Sequence, residues 1–467
     1  MDFLDRIEEI AELRRVLDSK KPAKFIVVFG RRRLGKSTLL KKILEKSDVY
    51  YMASDLVTNV QINMLQDQLA VKYPEIGRGE YQSWEDLLLV LNSLTKSKFT
   101  LCLDEFPYMV KHSPELPSLL QRLIDSKGLN YNLIICGSSQ RMMQELVLSK
   151  AEPLYGRADA IINLQPIPPV WLQEALHLSG RETVEEYSVW GGVPRYWELR
   201  EEYDNLMEAI AHTMLSTTAV LYDEPKRLFL DDMTATVQSE SLMSVIASGA
   251  NRISEIAARM GRDATALSAP IDRLIQMNYV RREIPFGENP KKSRKGIYRI
   301  NDPLMDFYYT FIIPNMSFIG RGRKHFVTEL IETKFTEYVA RHWEHLCREA
   351  VSGNALFGKI WDEAGRWWGT VPLPEADKNG KKFREMKLDV VAESIDRKAL
   401  LVGECKWTNP EIAGVLIEKL MSKAALLPMA QNKEIIPVLF LKEPPKDNFD
   451  NTYILLPDDV IRLSHGD

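Results

Sequence analysis

Two groups of residues in this chain have types and spacing suited to chemistry. The first runs from Gly30 to Ser37 and spells G-x-x-x-x-G-K-S after the apolar run Phe25–Phe29 and before Leu39-Leu40. In that pattern the glycines let backbone N–H groups curl around phosphates. Lys36 brings a point charge to the β/γ oxygens, Ser37 brings a hydroxyl for Mg²⁺, and the helix N-terminus that follows adds its dipole. Gly30, Arg33, Leu34, Gly35, Lys36, Ser37 and Thr38 form the candidate phosphate-binding set. Downstream, the apolar run Phe99–Leu103 ends in Asp104 and Glu105. Asp104 stands where a carboxylate can hold the metal, and Glu105 where one can polarise an attacking water. An acid pair that merely caps a helix is the alternative reading.

The second group lies near the other end. Lys387–Ala392 and Ala399–Trp407 are apolar-rich runs separated by the polar stretch Glu393–Lys398. A turn between Asp396 and Arg397 gives cross-strand partners position numbers with a constant sum, and sets Asp389 opposite Glu404. Opposed residues share a face with Cβ atoms about 5 Å apart, and Lys406, two residues on, shares it too. Two carboxylates that close repel unless a cation lies between them, and hard oxygen donors suit Mg²⁺. Asp389 and Glu404 are therefore the candidate metal ligands. Lys406 is placed to orient or deprotonate a water, the chemistry of phosphodiester hydrolysis. Glu344, on a predicted helix over Phe335–Ala350, is a candidate additional acid. A polar cross-strand cluster without catalysis is the alternative.

These residues need a scaffold, and apolar periodicity supplies one. Strands are expected at Phe25–Phe29, Val49–Met52, Phe99–Leu103, Tyr131–Cys136 and Ala160–Leu164. Helices are expected over Arg6–Leu17, Ile62–Tyr73 and Trp84–Leu94. Ser138 or Ser139, after the Tyr131–Cys136 run, reads either as a sensor of the γ-phosphate or as a helix N-cap. Arg157 reads either as a phosphate contact, in cis or across a subunit boundary, or as a solvated loop residue. Three prolines in Gln165–Val170 mark a boundary, helices continue to about Asp223, and Glu224-Pro225-Lys226 reads as a hinge. Beyond it, helices carry Leu242, Val245 and Ile246, then Ile253–Gly261, then a third that starts at Asp263 and should kink at Pro270. Two strands follow, Tyr279–Ile284 and Lys295–Ile300. The loop between them carries Lys291, Lys292, Arg294 and Lys295, which can meet nucleic-acid phosphates or simply be solvated. Trp361, Trp367 and Trp368 read as core. A helix over 410–426 and a strand over Glu434–Leu441 complete the chain.

With 467 residues and 45% apolar content, the chain can build about three domains with real cores. The net charge of −4 confines any nucleic-acid contact to local patches. Cys102, Cys136, Cys347 and Cys405 form no C-x-x-C pair, which argues against a zinc site or disulfide framework and fits a cytoplasmic setting. Neither a signal peptide nor a membrane span is expected.

The start Phe3–Glu9, the Gly30–Ser37 loop, Leu103–Phe106, Gly137–Ser139, Leu154–Arg157 and Gly191–Tyr196 together resemble the archaeal-type P-loop ATPases of the STAND group, within the AAA+-like class. The resemblance implies a parallel sheet with a helical lid, ATP as ligand, and Arg195 beside the nucleotide. It leaves a homo-oligomer open, since this class often assembles. Residues 242–300 resemble a winged helix-turn-helix. Asp389, Glu404 and Lys406 resemble the D…ExK positions of PD-(D/E)xK nucleases, although no proline precedes Asp389. The expected fold is α/β: a P-loop ATPase core over 1–165, a helical lid over 166–225, a winged helix-turn-helix over 226–318 and a restriction-endonuclease-like domain over 319–467. The expected function is an ATP-hydrolysing switch that regulates a DNA-binding, metal-dependent nuclease-like domain. A switch that binds DNA or protein through the winged module, with a C-terminal domain that binds but does not cut, is the alternative.

Overall fold

The computed structural model describes residues 3–20, 23–95, 99–232, 236–372, 383–409, 412–447 and 453–464. The chain divides into two compact units. One comprises 3–167 with 193–195 and 227–232; the other comprises 168–192, 196–226 and 236–464.

The first unit is built on a parallel sheet of β1 (Phe25–Phe29), β2 (Val49–Met52), β3 (Thr100–Asp104), β4 (Asn132–Gly137) and β5 (Ala160–Asn163), in the order β2-β3-β4-β1-β5. β1, β3 and β4 are buried along their whole length, as their uninterrupted apolar runs require when helices cover both faces. The strand order matters for function. β4 lies between β1 and β3, with Phe29 beside Gly137 and Leu103 beside Ile135. The Gly30 loop, Asp104 and Ser138 therefore leave three adjacent strands at the same edge, where open parallel sheets bind their ligands.

In the second unit, helices Pro169–Leu176, Gly180–Trp190 and Leu206–Thr213 appear where helices were expected. Gly180–Trp190 is built into the C-terminal part. The Tyr338 hydroxyl donates to the Ser188 carbonyl at 2.7 Å. A Cβ on Gly180 would come within 2.5 Å of the Asp458 nitrogen, so only glycine allows this approach. Glu224-Pro225-Lys226, the expected hinge, forms the first turn of helix Glu224–Asp232, and the division between the two units falls after Lys226. Proline is tolerated in a first turn, whose N–H groups have no helical acceptor. The Tyr196 hydroxyl anchors that turn on Glu224 at 3.0 Å.

Helices Thr236–Ala247, Ile253–Met260 and Ala264–Gln276 precede an antiparallel pair, β6 (Val280–Glu283) and β7 (Ile297–Ile300). Gly261 closes the second helix with φ 61°, a left-handed conformation that suits glycine. Pro270 lies inside the third helix, which stays helical through it, with Leu267, Ile271 and Leu274 on its buried face. After the short pair β8 (Ala355–Leu356) and β9 (Lys359–Ile360) comes a five-stranded sheet. Its strands are β10 (Gly365–Pro372), β11 (Phe383–Glu393), β12 (Ala399–Lys406), β13 (Glu434–Leu441) and β14 (Ile454–Leu455), in that order. β10, β11 and β12 are antiparallel neighbours, and β12, β13 and β14 are parallel. The crossover between β12 and β13 carries helix Ala413–Ala424; the expected start of that helix at 410–411 lies outside the described residues. Trp361 and Trp367 are buried. Helix Lys324–Val351 also packs on this sheet, and its Trp343 donates to the Phe440 carbonyl at 3.2 Å.

Candidate functional site

The loop after β1 is shaped by its glycines. Gly35 has φ 84°, where an L side chain is strained, and a Cβ on Gly30 would lie 2.8 Å from the Leu164 carbonyl oxygen. Arg33 is also left-handed, at φ 71°. Lys36 is buried and donates from Nζ to the Gly30 and Arg31 carbonyls at 2.7 and 2.9 Å, curling back over its own loop. Leu34 is buried, and its carbonyl accepts from Arg6 at 3.1 Å. Ser37 opens helix Lys36–Ile43 and donates to Asp104 Oδ2 at 2.8 Å, so the hydroxyl and the carboxylate expected to serve one metal are already in contact. Thr38 is exposed one residue on.

Asp104 is buried at the end of β3. Its Oδ1 accepts from the Glu105 N–H at 2.9 Å, and its Oδ2 accepts from Tyr50 as well as Ser37. Burial first, and the bond to Asp104 second, raise the Tyr50 phenol well above its ordinary range. Glu105 takes a left-handed backbone, φ 53°. Its carboxylate accepts from the Ser138 N–H at 3.2 Å and from the Ser138 hydroxyl. Ser139 takes the N-cap reading, capping helix Gln140–Leu148, and Ser138 faces Glu105.

The second cluster has the register expected of it. Val390 pairs with Gly403, Val391 with Val402, Ala392 with Leu401 and Glu393 with Leu400. Asp389 and Glu404 stand one step beyond Val390–Gly403, the pair farthest from the turn. Asp389 Oδ2 accepts from the Cys405 N–H at 3.1 Å. Burial, then the charges of Glu344 and Glu404, push the Asp389 carboxyl up to about 6. Glu404 takes Lys406 Nζ on Oε1 at 2.9 Å and Lys423 Nζ on Oε2 at 2.8 Å. Burial would raise Glu404, but the two lysines outweigh it and hold the carboxyl below its usual range. Glu344 lies 3.8 Å from Arg366. Among the described residues, no three His, Cys, Asp or Glu side chains are grouped as a ready metal ligand set.

Residues 3–199 match a family model described as an ATPase domain predominantly from Archaea. Over these residues the chain is similar to archaeal ATPase domains. Residues 308–422 match a second model, described as archaeal and bacterial proteins of unknown function. An uncharacterised protein of Methanocaldococcus jannaschii is 29% identical over 462 residues, covering 96% of this chain and 98% of its own. A Walker-type ATPase of Pyrococcus abyssi aligns with a TM-score of 0.51 and 19% identity, over 66% of this chain and 96% of its own, a likeness of fold.

Within the ATPase domain, the structure brings Lys36, Ser37, Asp104, Glu105 and Ser138 together. Arg157 is held elsewhere, its guanidinium forked onto both Asp125 oxygens at 2.8 Å. Arg195 is exposed in the first turn of helix Pro194–Glu201. Sequence reasoning missed Arg6, Tyr50 and Lys423. Tyr50 was within reach: it pairs with Cys102 on β3, so strand alternation gives it the face of Asp104. Arg6 lies within the Phe3–Glu9 start that carries the resemblance, although no role was drawn from it; for Lys423 no local signal exists. Among the described residues, no helix is long and apolar enough to cross a membrane.

Proposed function

We propose that this chain is an ATP-hydrolysing switch that regulates a DNA-acting, metal-dependent nuclease-like C-terminal region. The observation that carries the nuclease half is the hairpin register, which brings Asp389 and Glu404 to neighbouring positions with Lys406 two residues on. The raised Asp389 carboxyl supports it, because a cation between the acids would relieve their repulsion. The oxygen donors present suit Mg²⁺, which would lower the pKa of a bound water and stabilise charge on a phosphodiester. In that reading Asp389 and Glu404 would hold the metal, Lys406 would orient the water, and Glu344 would add a further acid.

In the ATPase domain, ATP would lie on the Gly30–Thr38 loop, with Lys36 on its phosphates and Ser37 and Asp104 toward Mg²⁺. Glu105 would align the attacking water, and its bonds to Ser138 tie it to the end of β4. Arg157 and Arg195 remain candidate phosphate contacts. Residues 242–300 would act as a winged helix-turn-helix, with exposed Lys291, Lys292, Arg294 and Lys295 on DNA phosphates. Self-assembly and a cytoplasmic location belong to the same proposal.

A second reading has its own support. Glu404 is already neutralised by two lysines, which suits a tail that binds without cutting. Supercoiled plasmid incubated with Mg²⁺ or Mn²⁺, with and without ATP, separates the two. Cutting by the wild type that is lost in Asp389→Ala and altered in Lys36→Ala supports the regulated nuclease. Absence of cutting, together with ATP-dependent DNA binding, supports the second reading.

A further inference from the structure

Arginines from four elements gather beside the Asp389 cluster. β6 and β7 set Arg281 directly against Arg299, and Glu283 lies two residues from Arg281 on β6. Arg281 Nε donates to Glu283 Oε1 at 2.9 Å, and Arg299 Nε lies 3.5 Å from Oε2. From helix Lys324–Val351, Arg348 reaches to 3.7 Å from Glu283 and donates to the Asp389 carbonyl at 3.0 Å. From β10, Arg366 faces Glu344 at 3.8 Å. The Arg366 carbonyl accepts from the Phe286 N–H at 2.8 Å, which fixes β10 to the chain just past β6.

These arginines are not equally used. Arg281 and Arg348 make close bonds. Arg299 and Arg366 do not: among the described residues each has a long ion pair alone, at 3.5 and 3.8 Å, although their side chains are just 23% and 12% exposed. The Arg366 Nε is buried and, among the described residues, has no hydrogen-bond partner. A guanidinium cannot shed its proton to relieve this. The two also repel each other. Burial first lowers Arg299 from its ordinary range; Glu283 opposes this, and Arg366 adds to the lowering. Glu283 is held at about 2: burial alone would raise it, but Arg281, Arg348 and Arg299 overcome that. The arginines thus outweigh burial at Glu283, whose Oε2 is, like the Arg366 Nε, buried without a hydrogen-bond partner among the described residues.

We infer that Arg299 and Arg366 form a phosphate-binding subsite beside Asp389. Two planar forks with spare donors suit a tetrahedral oxyanion with several acceptor oxygens. The inference rests on the nucleic-acid reading of this region for its natural ligand, a phosphodiester. A free phosphate or nucleotide shares the chemistry and is distinguished below. The exposed lysines of the loop between β6 and β7 give such a strand a second hold.

The test uses the full chain in EDTA at fixed ionic strength. Inorganic phosphate is titrated against chloride controls, and fluorescein-labelled single- and double-stranded DNA is followed by anisotropy. Wild type should bind phosphate, and phosphate should compete with DNA. Arg299→Gln and Arg366→Gln should each lose about tenfold in DNA affinity and lower the salt slope by about one. Lys291→Gln should weaken DNA binding while leaving inorganic phosphate binding unchanged. Phosphate binding without DNA binding assigns the subsite to a free anion. Should a Gln variant fail to fold, Arg366→Lys keeps the charge, loses the fork and should bind several-fold more weakly. Wild-type affinity for both probes in Arg366→Lys and in the folded Gln variants overturns the subsite. Plasmid cleavage by the same proteins is scored separately. Binding that persists in an Asp389→Asn variant unable to cut leaves the subsite standing. Cutting by a protein that binds no phosphate leaves only the nuclease reading.

Discussion

Tyr50 and Ser37 donate to the same atom, Oδ2 of Asp104. A hydrogen bond to a charged group contributes about 1.5–3 kcal/mol. Tyr50→Phe leaves the ring and removes one donor from a buried carboxylate. The first unit should therefore lose about 2 kcal/mol of stability without nucleotide, measured by urea denaturation. An unchanged midpoint would mean that Ser37 and Glu105 satisfy Asp104 by themselves.

Lys36 is bound to its own loop through the Gly30 and Arg31 carbonyls. ATP must draw it away from those oxygens, and the phosphates compensate with full charges. Lys36→Ala should weaken ATP binding by about a hundredfold, on the order of 3 kcal/mol. Titration with a fluorescent ATP analogue reads this directly, and near-wild-type affinity would move the nucleotide elsewhere.

Asp389 gives a pH dependence whose sign can be worked out. Its carboxyl is raised from an ordinary 3.8 to about 6 in the folded chain. Between those values the folded state holds a proton that the unfolded state has released. Stability contributed by this group is therefore full below about pH 4 and falls as pH rises through 6. Asp389→Asn should be nearly neutral at pH 4 and stabilising at pH 7.5, by up to about 3 kcal/mol. Denaturation midpoints at the two pH values test this; a gap that does not widen with pH contradicts it. Mn²⁺ should raise the wild-type melting temperature at pH 7.5 and leave Asp389→Asn unmoved.

Tyr338 ties helix Gly180–Trp190 to the C-terminal part through Ser188, and also donates to the Pro303 carbonyl at 3.2 Å. Tyr338→Phe leaves one buried and one part-buried carbonyl short of a donor. It should cost the second unit about 1–2 kcal/mol without altering ATP affinity. If the nucleotide affinity shifts with the stability, the two units are not thermodynamically separate.

The sequence by itself determined what depends on neighbours along the chain. Strand and helix positions followed from apolar periodicity, because burial of a face repeats with the element's own period. The phosphate loop followed from Gly30, Gly35 and Lys36, since its backbone geometry is local. Even the pairing of β11 with β12 was legible, because a short turn fixes a hairpin's register. The tertiary structure alone decided the contacts that join distant segments. Glu404 takes Lys423 rather than standing open, helix Gly180–Trp190 packs into the C-terminal unit, and Arg348 reaches the Asp389 carbonyl. No local pattern encodes these, because a side chain's partner across a core is set by how whole elements pack, and that packing is a property of the entire chain.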